Sequence, residues 1–170
     1  MIDEFGLDNK FAIVTGGSGL LGKNHARALM SMGCNVELWD IGARTSSVAE
    51  ELNREFDDAH ATIQLVDISN EQSVIESLRK LEIQNKKIDI LINNAAINPI
   101  FDEQQSNNCF EEFSVDYWNL EISVGLTGAM LCSKHIGGHM AKSGGGVILN
   151  ISSDLSVISP DQRIYLKENE

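Results

Sequence analysis

Short apolar runs alternate along this chain with longer amphipathic stretches. Phe11-Ala12-Ile13-Val14 is apolar without interruption and runs into a glycine-rich loop, the pattern of a strand buried on both faces. Residues 20–32 have helical spacing, and Gly33 stands where a helix stop belongs. Residues 36–39 predict a second strand, and residues 45–56 a helix with Val48, Leu52 and Phe56 along one face. A third strand is predicted at 62–66. Ser69-Asn70-Glu71-Gln72 then predicts a capping box with Ser69 as the cap, opening a helix buried through Val74, Ile75, Leu78 and Leu81. A fourth strand is predicted at 88–92, a polar loop at 98–113 and a long helix at 115–142. Gly144-Gly145-Gly146 breaks the chain before a fifth strand at 147–151. Such alternation means βαβ units, a parallel sheet and helices on both of its faces.

The length of 170 residues suits one domain spanning 1–170. The charge narrows the partners: 13 Lys+Arg against 25 Asp+Glu leave a net −12, which repels nucleic acid and anionic membranes. Neither is expected as a partner. The first ten residues lack the basic and apolar regions of a signal peptide, and no apolar run is long enough to span a bilayer. Cys34, Cys109 and Cys132 are scattered and odd in number, which reads as reduced thiols of a cytoplasmic protein.

The strongest chemical signal is Gly17-Ser18-Gly19-Leu20-Leu21-Gly22, a G-x-G-x-x-G pattern between a predicted strand and a predicted helix. Asp40 follows at the end of the second strand. This is the context of a Rossmann-type dinucleotide site. The glycines admit a pyrophosphate, the helix N-terminus offers it unpaired amides, and the carboxylate accepts the ribose hydroxyls. A carboxylate there also repels a 2′-phosphate, so NAD is expected over NADP. Arg44 lies near and is read mainly as a solvated charge.

With these residues in view, the chain resembles the short-chain dehydrogenase/reductase family. Thr15 to Gly22 resembles its glycine loop, although the spacing is that of the longer sugar-nucleotide epimerase branch. Asp67-Ile68 resembles the pair that recognises adenine. Asn93-Asn94-Ala95-Ala96 resembles the motif ending the fourth strand, and Asn150-Ile151-Ser152-Ser153 the strand end that carries the catalytic serine. The resemblance implies a doubly wound sheet of about five strands in the order 3-2-1-4-5, the N-terminal two-thirds of such an enzyme. It implies NAD-linked hydride transfer to or from a small hydroxyl or carbonyl compound, sugar derivatives included. Gly16, Ser18, Gly19, Leu20, Leu21, Gly22, Asp40, Asp67, Ile68, Asn93, Ala95, Ala96 and Ile151 would then line the cofactor. Ser153 would orient substrate.

Two departures qualify that reading. Gly125 stands where the family's relay asparagine is expected. The family's Y-x-x-x-K motif is missing too: Tyr165 is followed four residues later by Asn169, and Lys167 falls on another helix face. Tyr165 is therefore read as a loop residue and this chain alone as catalytically doubtful. A non-catalytic dinucleotide-binding module is the alternative, and an epimerase- or dehydratase-like protein a third. The stretches 125–128 and 131–134 also resemble a branch associated with surface-sugar and flagellin modification.

Further expectations concern single residues. His135 and His139 have zinc-like spacing but lack the H-E-x-x-H glutamate, so no metal is expected and both are read as exposed. Close approach by a helix or the cofactor would explain Gly125 and Gly128, and Gly137-Gly138 reads as a kink or helix end. Trp39 and Trp118 read as packing residues. The fifth strand is expected to leave an apolar edge through Val147, Ile148, Leu149 and Ile151. The oligomeric state, a homo-oligomer included, stays open.

Overall fold

The computed structural model describes residues 6–42, 44–97, 111, 113–153 and 157–158. Five parallel strands form one sheet in the order β3-β2-β1-β4-β5. They are β1 (Phe11–Thr15), β2 (Asn35–Asp40), β3 (Ala61–Leu65), β4 (Ile90–Asn93) and β5 (Val147–Asn150). The helices are α1 (Leu20–Met30), α2 (Thr45–Glu55), α3 (Glu71–Ile83), α4 (Val115–Ile122) and α5 (Ala129–Lys142). This is the expected topology.

The period of two along each strand splits the core into two layers. Ala12, Val14, Val36 and Leu38 face α1 and α2, where they meet Ala26, Met30, Val48 and Leu52. Phe11, Ile13, Trp39 and Leu91 face the other way, toward Val74, Leu78 and Leu81 of α3 and Leu131, Cys132 and Ile136 of α5. β1, at the centre, is buried along its length because both layers meet on it.

The edge strands depart from the continuous apolar pattern. β3 carries Thr62 and Gln64, and its Leu65 is 67% exposed. All four residues of β5 are exposed, so the expected apolar edge is present.

The cap of α3 corrects the capping-box expectation. Asn70, not Ser69, is the cap, and its side chain accepts from the amides of Gln72 and Ser73. Ser69 is withdrawn because its hydroxyl donates to Asp67 Oδ1 at 2.6 Å, a stronger charge-assisted bond. Ser77 is buried on this helix rather than Ile75, which is half-buried.

The long helix expected over 115–142 is continuous but not uniform. Ser123–Gly128 between α4 and α5 winds as a π-helix. Such wide turns shift the faces on either side relative to each other. α4 buries no residue, whereas α5 buries Leu131, Cys132, Ile136 and Met140. α5 runs through Gly137-Gly138 to Lys142, so that pair does not end the helix. A Cβ on Gly137 would lie 3.1 Å from Ile148 Cδ1, which explains the small residue.

Candidate functional site

Parallel pairing brings the carboxyl ends of all five strands to one edge. Thr15 lies opposite Trp39, Asp40 opposite Leu65 and Asn93 opposite Asn150. Neighbouring strands are roughly 5 Å apart, so these ends share one crevice. β1 leads to α1 on one face, while the chain after β4 reaches α5 on the other. The connection changes sides between β1 and β4, where open α/β sheets take their ligands.

The glycine loop is shaped by contacts with β1, β2 and β4. Gly16 has φ +62°, and a Cβ there would lie 2.8 Å from Ala95 Cα. A Cβ on Gly22 would lie 2.1 Å from Gly16 O, so the helix start and the loop can pack only without one. Gly19 is different: the nearest atom to its Cβ position, Gly16 O, is 3.2 Å away. Internal packing therefore demands Gly19 much less, and an external group approaching the backbone would demand it more.

Gly19 caps α1 without any side-chain hydrogen bond. The amides of Leu20, Leu21 and Gly22 meet no acceptor among the described residues. The Leu20 and Leu21 side chains are 83% and 57% exposed, so they extend the loop outward rather than filling it. Three unpartnered amides at the positive end of an eleven-residue helix suit a pyrophosphate.

Asp40 ends β2 facing this loop. Its Oδ2 accepts from the Ser18 amide at 2.9 Å and the Ser18 hydroxyl at 2.6 Å. Its Oδ1 accepts from the amides of Ile41 at 2.8 Å and Gly42 at 3.1 Å. Ser18 and Asp40 are thus joined directly. Arg44 is exposed just before α2.

Between β1 and β4 the structure shows a clasp that sequence reading did not single out. Thr15 is fully buried, and its hydroxyl donates to Ile92 O while accepting from the amides of Asn94 and Ala95 at 3.0 and 3.1 Å. One donor and two lone pairs are all used. Asn94 Nδ2 donates to Thr15 O at 2.9 Å and to Gly16 O at 3.3 Å, tying β4 to the glycine loop. The available signal was a lone hydroxyl ending a wholly apolar strand.

Asn93, expected to line the cofactor, turns its side chain inward. Its Nδ2 donates to Asn150 Oδ1 at 2.7 Å and Ser133 Oγ at 3.0 Å, joining β4, β5 and α5. That amide braces the sheet. Ala95 is half-buried beside Gly16, and Ala96 is exposed at the crevice edge.

At the end of β3, Asp67 is exposed and Oδ1 is engaged by Ser69, while Oδ2 takes no hydrogen bond from the described residues. Ile68 is 6% exposed, and its side chain packs against the π-helical turn. A Cβ on Gly128 would lie 2.7 Å from Ile68 Cδ1, which accounts for that glycine. Only the main chain of Ile68 can face a ligand. Gly125 has no protein atom within 4 Å of its Cβ position among the described residues, so close approach of a helix does not explain it.

Ile151, Ser152 and Ser153 are exposed beyond β5, with Ile151 N held by Asn93 O. Tyr165, Lys167 and Asn169 lie outside the described residues, as does most of the loop at 98–113. Trp39 is a core residue whose indole donates to Glu37 Oε1, but Trp118 is 53% exposed and is no core residue.

The histidines also correct an expectation. His135 and His139 are not exposed: their side chains are 20% and 15% accessible and face α3. Each meets a glutamate, His135 Nε2 with Glu71 at 2.7 Å and His139 Nδ1 with Glu82 at 3.3 Å. They are helix-packing residues. Cys34 and Cys132 are buried free thiols, and burial pushes both up to about 12, far from a reactive thiolate. Cys109 lies outside the described residues. No described helix is long and apolar enough to cross a membrane.

Comparison with known proteins agrees with this geometry. The family model for short chain dehydrogenases matches residues 10–165. An uncharacterized oxidoreductase of Thermotoga maritima is 33% identical over 160 residues, covering 94% of this chain and 59% of that protein. The NAD-dependent glycerol dehydrogenase of Listeria innocua is 30% identical, covering 95% of this chain and 59% of its own length. A solved structure of a putative gluconate dehydrogenase from Agrobacterium tumefaciens superposes with a TM-score of 0.79 at 29% identity. It is covered over 58% of its length and this chain over 92%. The chain thus spans a little under three fifths of the length of these relatives.

Proposed function

We propose that this chain, which belongs to the short chain dehydrogenase family, is the dinucleotide-binding part of an NAD-dependent oxidoreductase. Its substrate would be a small hydroxyl or carbonyl compound. Polyols and sugar acids are the first to try, because relatives are named for glycerol and gluconate. A sugar of the surface-modification type is a narrower candidate. The observation that carries the reading is the pairing at the crevice of three unpartnered helix amides with a carboxylate at the end of β2.

Bound nicotinamide would supply the hydride acceptor or donor. The amides of Leu20, Leu21 and Gly22 would hold the pyrophosphate, and Gly19 would let it approach. Asp40 would accept the adenosine ribose hydroxyls, and its charge would disfavour a 2′-phosphate. Asp67 Oδ2 and the Ile68 main chain would meet adenine. The Asn93 amide would keep β4 and β5 aligned so that Ser153 holds the substrate oxygen, and the Asn94 amide would hold β4 to the glycine loop. The proton of that oxygen needs a partner with a suitable pKa, worth roughly 10²–10⁴-fold in rate. A catalytic tyrosine four residues before a lysine would fill that role; Tyr165 does not have that spacing.

The second reading is a binding module without chemistry, favoured by that spacing. NADH fluorescence titration separates the readings from a chain with no cofactor at all. Binding is expected, and Asp40→Ala is expected to weaken NADH about 10-fold while changing NADPH less. Equal loss for both cofactors would remove the ribose role. Residues 1–170 are expected to bind without turnover. Steady NAD-linked oxidation of an alcohol by this chain would show Tyr165 or a substitute at work.

A further inference from the structure

The carboxylate of Asp40 has no acceptor capacity left. Four donors, the Ser18 amide, the Ser18 hydroxyl and the Ile41 and Gly42 amides, meet its four lone-pair sites. A ribose diol can reach this carboxylate only by displacing one of them. Three of the donors are backbone amides, fixed by the glycine loop and by the end of β2. The Ser18 hydroxyl alone sits on a freely rotating bond. It is also the closest, at 2.6 Å. Gly42 lies beside it: a Cβ there would stand 3.6 Å from Ser18 Oγ and 3.5 Å from Asp40 Oδ1, ordinary contact distances.

We infer that Ser18 is an internal competitor for the ribose hydroxyls, an affinity- and selectivity-setting residue that occupies Asp40 until the dinucleotide displaces it. This rests on the proposal that Asp40 holds the adenosine ribose. In the free protein the hydroxyl fills a valence that would otherwise draw water. On binding, one ribose hydroxyl takes its place and Ser18 Oγ rotates away from Asp40. The exchange conserves the number of hydrogen bonds, so the hydroxyl lowers affinity for the diol. NADPH keeps only its 3′-hydroxyl as a donor and its 2′-phosphate is repelled by Asp40, so NADPH competes less in this way.

The test is NADH and NADPH binding by fluorescence to wild type, Ser18→Ala, Ser18→Thr, Asp40→Ala and the Ser18→Ala/Asp40→Ala double variant. Ser18→Ala is expected to lower the Kd for NADH about 3- to 10-fold and to change NADPH less. Ser18→Thr keeps the hydroxyl and should behave as wild type. In the Asp40→Ala background, removing the hydroxyl should do nothing. A Ser18→Ala Kd equal to or above wild type would overturn the competitor role and make Ser18 a prop for Asp40. An equal gain for NADH and NADPH would overturn it too, as a general loosening of the loop. If Asp40→Ala weakens both cofactors alike, the ribose reading itself falls and this inference with it. Normal selectivity loss in Asp40→Ala with no Ser18 effect sinks the inference alone.

Discussion

β1 is buried along its whole length, while all four residues of β5 are exposed. The same contrast runs through their surroundings. Around β1 the Thr15 hydroxyl, the Asn94 Nδ2 group and the Asp40 carboxylate are each engaged by neighbours. On β5 and just after it Val147, Leu149 and Ile151 are exposed, and α4 exposes Val115, Trp118 and Leu120. The β1 side is thus a closed local unit made by the first hundred residues. The side that carries Ser153 is open. The proposed cofactor contacts and the proposed substrate contact rest on different halves, so they can be broken separately.

The largest effect is expected at the clasp on the closed side. Thr15→Val keeps the shape but leaves the amides of Asn94 and Ala95 without their acceptor. The cost should be about 2–4 kcal/mol, read as a lower urea midpoint. An unchanged midpoint would show that the clasp is not what closes this side. Next come two glycines of one loop. Gly22→Ala drives a Cβ into Gly16 O and should cost about 1–3 kcal/mol of stability. Gly19→Ala should change stability by less than about 0.5 kcal/mol. It should nonetheless weaken NADH about 10-fold or more if the pyrophosphate approaches this glycine as proposed. Equal stability losses would show that both glycines serve packing alone.

Much of the closed side was legible in sequence because its signals are local. The apolar run ending at Val14, the glycines and Asp40 each report their own backbone or charge requirement. Thr15 was harder, since its partners are almost eighty residues away and no local pattern marks a hydroxyl as a bridge. The Ser69 cap was misplaced because Asp67 competes for that hydroxyl, and the contest between two neighbours is settled by distance. His135 and His139 looked exposed because their burial comes from α3, a separate element. The π-helical turn leaves no period in a stretch containing two glycines. On the open side, Asn150 and Ser153 were visible as a motif, yet the inward turn of Asn93 is a tertiary fact.

A smaller effect probes the open side. Leu149→Lys replaces a residue that is 47% exposed on an edge strand, so the folded chain should lose no more than about 0.5 kcal/mol. Concentration-dependent association, followed by light scattering, should fall, because a lysine blocks edge-to-edge pairing. The same substitution at Ile13, buried in β1, should prevent folding.

The smallest effect is acid sensitivity, which also differs between regions. Asp89 precedes β4 and takes the Phe11 amide at 3.2 Å, with Lys87 at 3.0 Å and Lys10 at 3.4 Å. Burial pushes its pKa up, but these hydrogen bonds outweigh it and hold the carboxyl below its ordinary value. Arg27 does the same for Glu55 between α1 and α2, and Lys134 with His135 for Glu71. A depressed folded pKa gives stability that is complete above the unfolded values of 3.8 and 4.5. It is lost as pH falls through the lower folded values. The urea midpoint should therefore hold from neutrality to about pH 5 and drop below it. Protonation also relieves repulsion within a chain of net charge −12, which opposes the drop. Asp89→Asn separates the two, since it removes one titrating anchor and only one charge. Its midpoint should start lower at pH 7 and converge on wild type at pH 3. A constant gap at every pH would mean that Asp89 acts through packing and not through its charge.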